Sequence, residues 1–253
     1  MPRIDGVKLK IERAKEHIIE FDRRLRIFAD DKPYEIGAKP HKIPEIDHVT
    51  LYIKSVKDVP PELSTVIGDT VHNLRSALDH LAWQLVEAGG GIPNKDTYFP
   101  IVPFGPQSAQ KYASAIGKGE IHKMPVGADK VLLEEQPYTS GDDTLWHIHE
   151  LDRFDKHRFL ITTGTAYGNW SVMVGNQPLV FRDWAKIPLV AGYEIVNIPR
   201  DTYERTPHEN FKLGIDVSFG QSEIVPGWPV LETLNHMTEF VDFAVSRFEP
   251  FLI

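Results

Sequence analysis

The chain has 253 residues, with 42 % hydrophobic and 25 % charged side chains, no cysteine and a formal charge of −8 at neutral pH. A chain of this length buries roughly three quarters of its unfolded surface, which argues against extended disorder. The lack of cysteine excludes disulfides, thiolate metal sites and a cysteine nucleophile, and the acidic balance argues against a broad electrostatic footprint for duplex nucleic acid.

The opening residues, Met1-Pro2-Arg3-Ile4-Asp5-Gly6, lack the basic-then-apolar pattern of a signal peptide. Charges interrupt every apolar run before it reaches the length of a membrane span. A cytoplasmic protein without membrane contact is the expectation.

Val7, Ile11, Ala14, Ile18, Phe21, Leu25 and Phe28 step by four and three, which predicts an amphipathic helix over about 6–29. Val49, Leu51 and Ile53 alternate with polar neighbours and predict a short strand. Pro60-Pro61 opens and Gly89-Gly90-Gly91 closes a helix over about 61–88, with Leu63, Ile67, Val71, Leu74, Leu78, Leu81 and Leu85 as its buried stripe. Residues 98–101 read as a short edge element, because Pro100 cannot donate to a ladder, and 107–135 gives no clear pattern.

Ser140 with Asp143 resembles a capping box, and Gly164 a helix stop, so a helix is predicted over about 142–163. Strands follow at 170–174, 178–182, 191–198 and 211–219, the first two joined by a tight turn at Gly175-Asn176. Val230, Leu234, Met237, Val241, Ala244 and Phe248 predict a last helix over about 229–249. Its seam matches that of the first, so the two terminal helices are expected to pack together. The sum is a single α+β domain over 1–253, a four-helix bundle with an associated antiparallel sheet, β-rich over 165–220. Strict βαβ alternation is absent.

The chemistry concentrates on the helix over 61–88, where His72, Asn73, Arg75, Asp79 and His80 fall within two and a half turns. Arg75 and Asp79, four apart, face each other and can pair; His72, Ser76 and His80 share another line. An arginine on a phosphate beside a histidine titrating near neutrality is a cleavage pair: the histidine takes a proton from a ribose 2′-hydroxyl and the arginine steadies charge on phosphorus. The same residues also fit a helical ion pair with histidines bonded to neighbouring loops.

A second polar group, Lys156, His157 and Arg158, lies in the second half of the helix over 142–163. There it either complements the helix dipole or, if the two helices are neighbours, forms an anion grip facing Arg75. His147 and His149 diverge by about 200° on a helix, and His149 and His157 stand about 12 Å apart along it, so no metal site is predicted. Neither Gly-x-Gly-x-x-Gly nor a Walker-type loop occurs, and no cofactor is expected.

The run Asn73-Leu74-Arg75-Ser76-Ala77-Leu78-Asp79-His80 resembles the Arg-x4–6-His motif of HEPN domains, helical bundles of many prokaryotic ribonucleases and nucleotide-binding proteins. A wider set, residues 72–80, 98–101, 136–138 and 155–158, resembles a family of uncharacterised bacterial proteins. HEPN resemblance implies a metal-independent endoribonuclease acting as a homodimer. Arg75 would hold the scissile phosphate, His80 would act as base, and Asn73 or Asp79 would orient it. HEPN domains are usually compact and all-helical, whereas strands follow here, and the motif lies on an early helix.

Three functions fit these residues. The first is a ribonuclease. The second is a binding protein that holds a small anion or a nucleotide through Arg75, His72, His157 and Arg158, with Lys156 beside them. The third is an architectural protein whose sheet mediates a contact through exposed aromatics such as Trp170, Trp184, Tyr193, Tyr203 and Trp228.

Overall fold

The computed structural model describes residues 4–252, except 44, 103–104, 106, 136–142, 158–159, 161, 175–176, 183–186, 206–210 and 221–223, and gives only the backbone of 109, 163, 165–174, 177–182, 187–188 and 211–212. Helix α1 spans Asp5–Asp30, α2 Pro61–Ala88, α5 Thr144–Asp155 and α7 Val230–Ser246. Short helices α3 (Ser108–Ile116) and α4 (Ala128–Glu134) lie between α2 and α5, and α6 (Arg200–Arg205) lies among the strands.

The heptad seams become the core. Every seam residue of α1, from Val7 to Phe28, is buried, as are Val230, Leu234, Met237, Val241 and Ala244 of α7. Helices α1 and α7 pack on each other as expected, and both pack on α2, while α5 packs on α2 and α7. The salt bridge Lys15–Asp242 at 3.0 Å ties the terminal helices together at the surface, and Lys8–Glu249 at 2.6 Å ties α1 to the turn after α7. Helix α2 sits centrally. Pro61 at its first turn needs no N–H partner there, and the N–H of Gly89 closes its end on the Leu85 carbonyl.

The α+β class stands, and all named strand pairings are antiparallel. The strands divide into two sheets. One has the order β1 (Tyr34–Pro40), β2 (His48–Val56), β6 (Glu194–Pro199). In the other, β3 (Thr162–Val174) pairs with β4 (Gln177–Arg182), β5 (Ile187–Pro188) and β7 (Phe211–Phe219). Tyr34 joins them: its hydroxyl accepts from the Leu213 N–H at 2.7 Å, and Ile53, Leu189 and Leu213 share a small core. Val217 and Phe219 of β7 enter the large helical core, so β7 links sheet and helices.

Four local expectations change. The helix expected to reach 163 stops at Asp155, and Lys156 and His157 form a turn bonded to Asp152 and Phe154 carbonyls. The β-branched Thr162-Thr163 pair then favours strand. Gly164 lies inside β3, where a Cβ would stand 3.1 Å from Leu189 Cδ2. Residues 98–101 join no ladder among the described residues. Strand β1 was not foreseen, since Gly37 and Pro40 interrupt its pattern; the Tyr52 ring lies over Gly37, 2.7 Å from where a Cβ would be, and would have to move for a larger residue. The Gly175-Asn176 turn and the Ser140 cap lie outside the described residues, although Val174 pairs with Gln177. Asp143 at the start of α5 makes no side-chain cap bond.

Candidate functional site

Helix α2 turns Gly68, His72, Arg75 and Asp79 to one side at spacings of four, three and four, and α5 opposes them with His149, Asp152 and Asp155 at three and three. At one end the helices approach closely, with the Asp155 carboxyl 2.3–2.5 Å from where a Gly68 Cβ would be. Burial and the nearby Asp69 and Asp152 carboxylates push the Asp155 carboxyl up from its ordinary range.

Next along the seam is Asp152, a buried carboxylate partnered at both oxygens. His72 Nδ1 lies 2.9 Å from Oδ1, and Lys156 Nζ donates to Oδ2 at 2.6 Å. The two polar clusters therefore meet, through an acidic residue not singled out from the sequence. His72 also touches Ser76 at 3.5 Å, along the line their spacing predicts.

Arg75 is only 7 % exposed. Its Nη2 donates to Asp79 Oδ1 at 2.7 Å and to the Phe99 carbonyl at 3.1 Å, and Asp79 Oδ1 accepts the Phe99 N–H at 3.0 Å. Side chains thus do for residue 99 what a neighbouring strand would have done, which is how a segment with a proline keeps its backbone groups satisfied without a ladder. Desolvation depresses the Arg75 pKa and raises that of Asp79, in each case outweighing their mutual attraction. Arg75 Nη1 is covered and has no hydrogen-bond partner among the described residues.

Arg75 forms part of the wall of a cleft of about 430 Å³ between α2, α5 and the segment 96–101. Lys118, His149, Arg153 and Lys156 also line it, with Asp79, Asp96 and Asp152 as the carboxylates. Of the cations, Arg75 pairs with Asp79, Lys156 with Asp152 and Arg153 with Glu150. Lys118 is exposed and has no ion pair among the described residues. Burial, then the charge of Arg75, lowers the His149 pKa, so the imidazole favours its neutral form.

The remaining expected residues fall elsewhere. His80 lines a neighbouring cleft of about 420 Å³ that, among the described residues, shares Asp79 and Tyr98 with the first. Five residues turn a helix by about 500°, so His80 points about 140° away from Arg75. Asn73 donates to the Asp69 carbonyl of its own helix at 2.8 Å and not to His80. His157 is exposed in the turn after α5 and lines neither cleft, and Arg158, with residues 136–138, lies outside the described residues. The spacing of Asp152 and Lys156 was a readable signal for their pair. Lys118 and Asp96 come from loops distant in sequence and carried none.

Among the described residues no group of three or more histidine or acidic side chains is gathered as metal ligands would be, and no helix is long and apolar enough to cross a membrane. Of the aromatics considered for an interface, Tyr193 and Trp228 are exposed, and Tyr203 packs partly buried beside Ile198. Trp184 lies outside the described residues, as does the side chain of Trp170. Comparison with protein-family models, with curated proteins and with solved structures gives no match for this chain.

Proposed function

We propose that the cleft between α2 and α5 binds a small anionic ligand of the phosphate type. The observation that carries this reading is Arg75, a guanidinium held rigidly in the cleft wall with one terminal nitrogen still lacking an acceptor. A covered donor on a fixed cation is costly until an acceptor arrives, and a planar guanidinium suits a tetrahedral oxyanion. Lys118, free of ion pairs among the described residues, adds attraction at the rim.

The test is thermal unfolding of the protein with inorganic phosphate, pyrophosphate and sulfate at constant ionic strength. At about a hundred times Kd a bound anion contributes about 2.7 kcal/mol, which raises Tm by about 5–10 °C for a chain of this size. Lys118→Glu is expected to weaken the effect without altering the melting of the free protein. A flat Tm with all three anions would sink the reading.

A ribonuclease of the HEPN type is a second proposal. It is supported by the adjacency of the clefts, since a chain-like substrate passing Tyr98 would meet both Arg75 and His80. Cleavage of labelled RNA in EDTA, lost in His80→Ala with folding intact, is its expected result. No cleavage by the wild type removes it and leaves anion binding standing.

A further inference from the structure

The cleft that holds His80 has a chemistry of its own. Trp83 and Tyr98, 40 % and 56 % exposed, both line it, although large aromatic rings carry most of their favourable energy only when covered. Glu87 fixes one wall: its Oε1 accepts from Trp83 Nε1 and its Oε2 from Gln84 Nε2, each at 3.2 Å. The segment 94–97, which also lines the cleft, is held by its own bonds. The Asn94 N–H donates to Thr97 Oγ1 at 2.9 Å, and Asn94 Oδ1 accepts the Asp96 N–H at 2.9 Å. Those bonds occupy one end of each amide. Gln84 Oε1 and Asn94 Nδ2, an acceptor and a donor, have no partner among the described residues.

Two exposed rings beside an unused donor and acceptor suit a flat heterocycle, stacked on its face and hydrogen-bonded at its edge. The phosphate-type groups lie next door. Asp79 and Tyr98 belong to both clefts, and Arg75 and Trp83, eight residues apart on α2, are separated by about 12 Å along its axis. We propose that the two clefts form one composite site for a mononucleotide-like ligand, a planar heterocycle joined to a phosphate. The ring lies against Trp83 and Tyr98, with Gln84 and Asn94 at its edge, and the phosphate reaches toward Arg75. This assignment rests on the anion reading of the first cleft and names the ligand class.

Calorimetric titration of the full chain with inorganic phosphate, ribose 5-phosphate, and adenosine and uridine monophosphates tests it. The monophosphates are expected to bind about tenfold more tightly than ribose 5-phosphate, the increment of a base stacked on an aromatic side chain. Trp83→Ala is expected to abolish that increment while leaving ribose 5-phosphate affinity unchanged, and Trp83→Phe to retain most of it. Equal affinities for ribose 5-phosphate and the monophosphates would overturn the ring site and leave the anion reading intact. An increment that survives in Trp83→Ala would overturn it as well. If none of the probes binds, inorganic phosphate included, both readings fall.

Discussion

Arg75 donates from Nη2 to the carbonyl of Phe99 at 3.1 Å, and the N–H of that same residue is held by Asp79, one turn further along α2. Two side chains on one helix face therefore satisfy both backbone polar groups of a residue that joins no sheet among the described residues. The Phe99 ring meanwhile is buried edge-on to Phe248, so the segment is fixed from both sides.

The first consequence concerns stability. Arg75→Ala leaves Asp79 in a poorly hydrated site without its cation, and strands the Phe99 carbonyl. The expected loss is roughly 2–4 kcal/mol, below the full range for buried pairs because Asp79 keeps some exposure. Asp79→Asn keeps an acceptor for the Phe99 N–H and is expected to cost less. Urea unfolding of both variants checks the order, and an Arg75→Ala protein as stable as wild type would refute it.

His149 offers a titration that reads the cleft directly. Its folded-state pKa lies below the ordinary 6.5, so the unfolded chain binds the proton more tightly. The neutral histidine therefore contributes stability that is fully present above 6.5 and is lost as pH falls from 6.5 through the folded-state value. Imidazole NMR is expected to give a midpoint below 6.5. Inorganic phosphate bound beside Arg75 offsets the cation that depresses it and is expected to move the midpoint upward. A midpoint indifferent to phosphate would count against anion binding in this cleft.

Glu194 makes a prediction about the three-stranded sheet. Lys39 and Lys42 donate to its two carboxylate oxygens at 2.7 and 2.9 Å, tying β6 to β1 and the loop after it, and hold its pKa down at about 2. Because the folded-state value is depressed, the contribution is fully present above the ordinary 4.5 and is lost as pH falls from 4.5 to about 2. Glu194→Gln is thus expected to melt below wild type at neutral pH and to converge with it near pH 2. High salt should narrow the gap, since the pair is exposed.

The long helices were legible because their apolar residues repeat every three or four positions over several turns, a local signal that needs no partner to be read. Strand β1 was not, because its pairing comes entirely from β2 and its sequence carries Gly37 and Pro40. The false extension of α5 has a similar origin. Sequence around Asp155 still permits helix, and pairing of Thr162 with Phe219 in β7 ends the argument. Within the site, the pairing of Arg75 with Asp79 follows from their spacing alone. Proximity of Phe99, Lys118 and Asp152 does not.

By itself the sequence determined the amphipathic helices, their seams and the i, i+4 contacts along α2, because helix geometry maps spacing onto faces. Only the tertiary structure decided which of those polar faces met a partner. Asp152 takes both His72 and Lys156, and Phe99 takes both Arg75 and Asp79. The turn of the helix sends His80 into a different cleft from Arg75. Burial then set the charges, because desolvation of Arg75, Asp79 and His149 depends on what chain packs over them, and no local pattern encodes that cover.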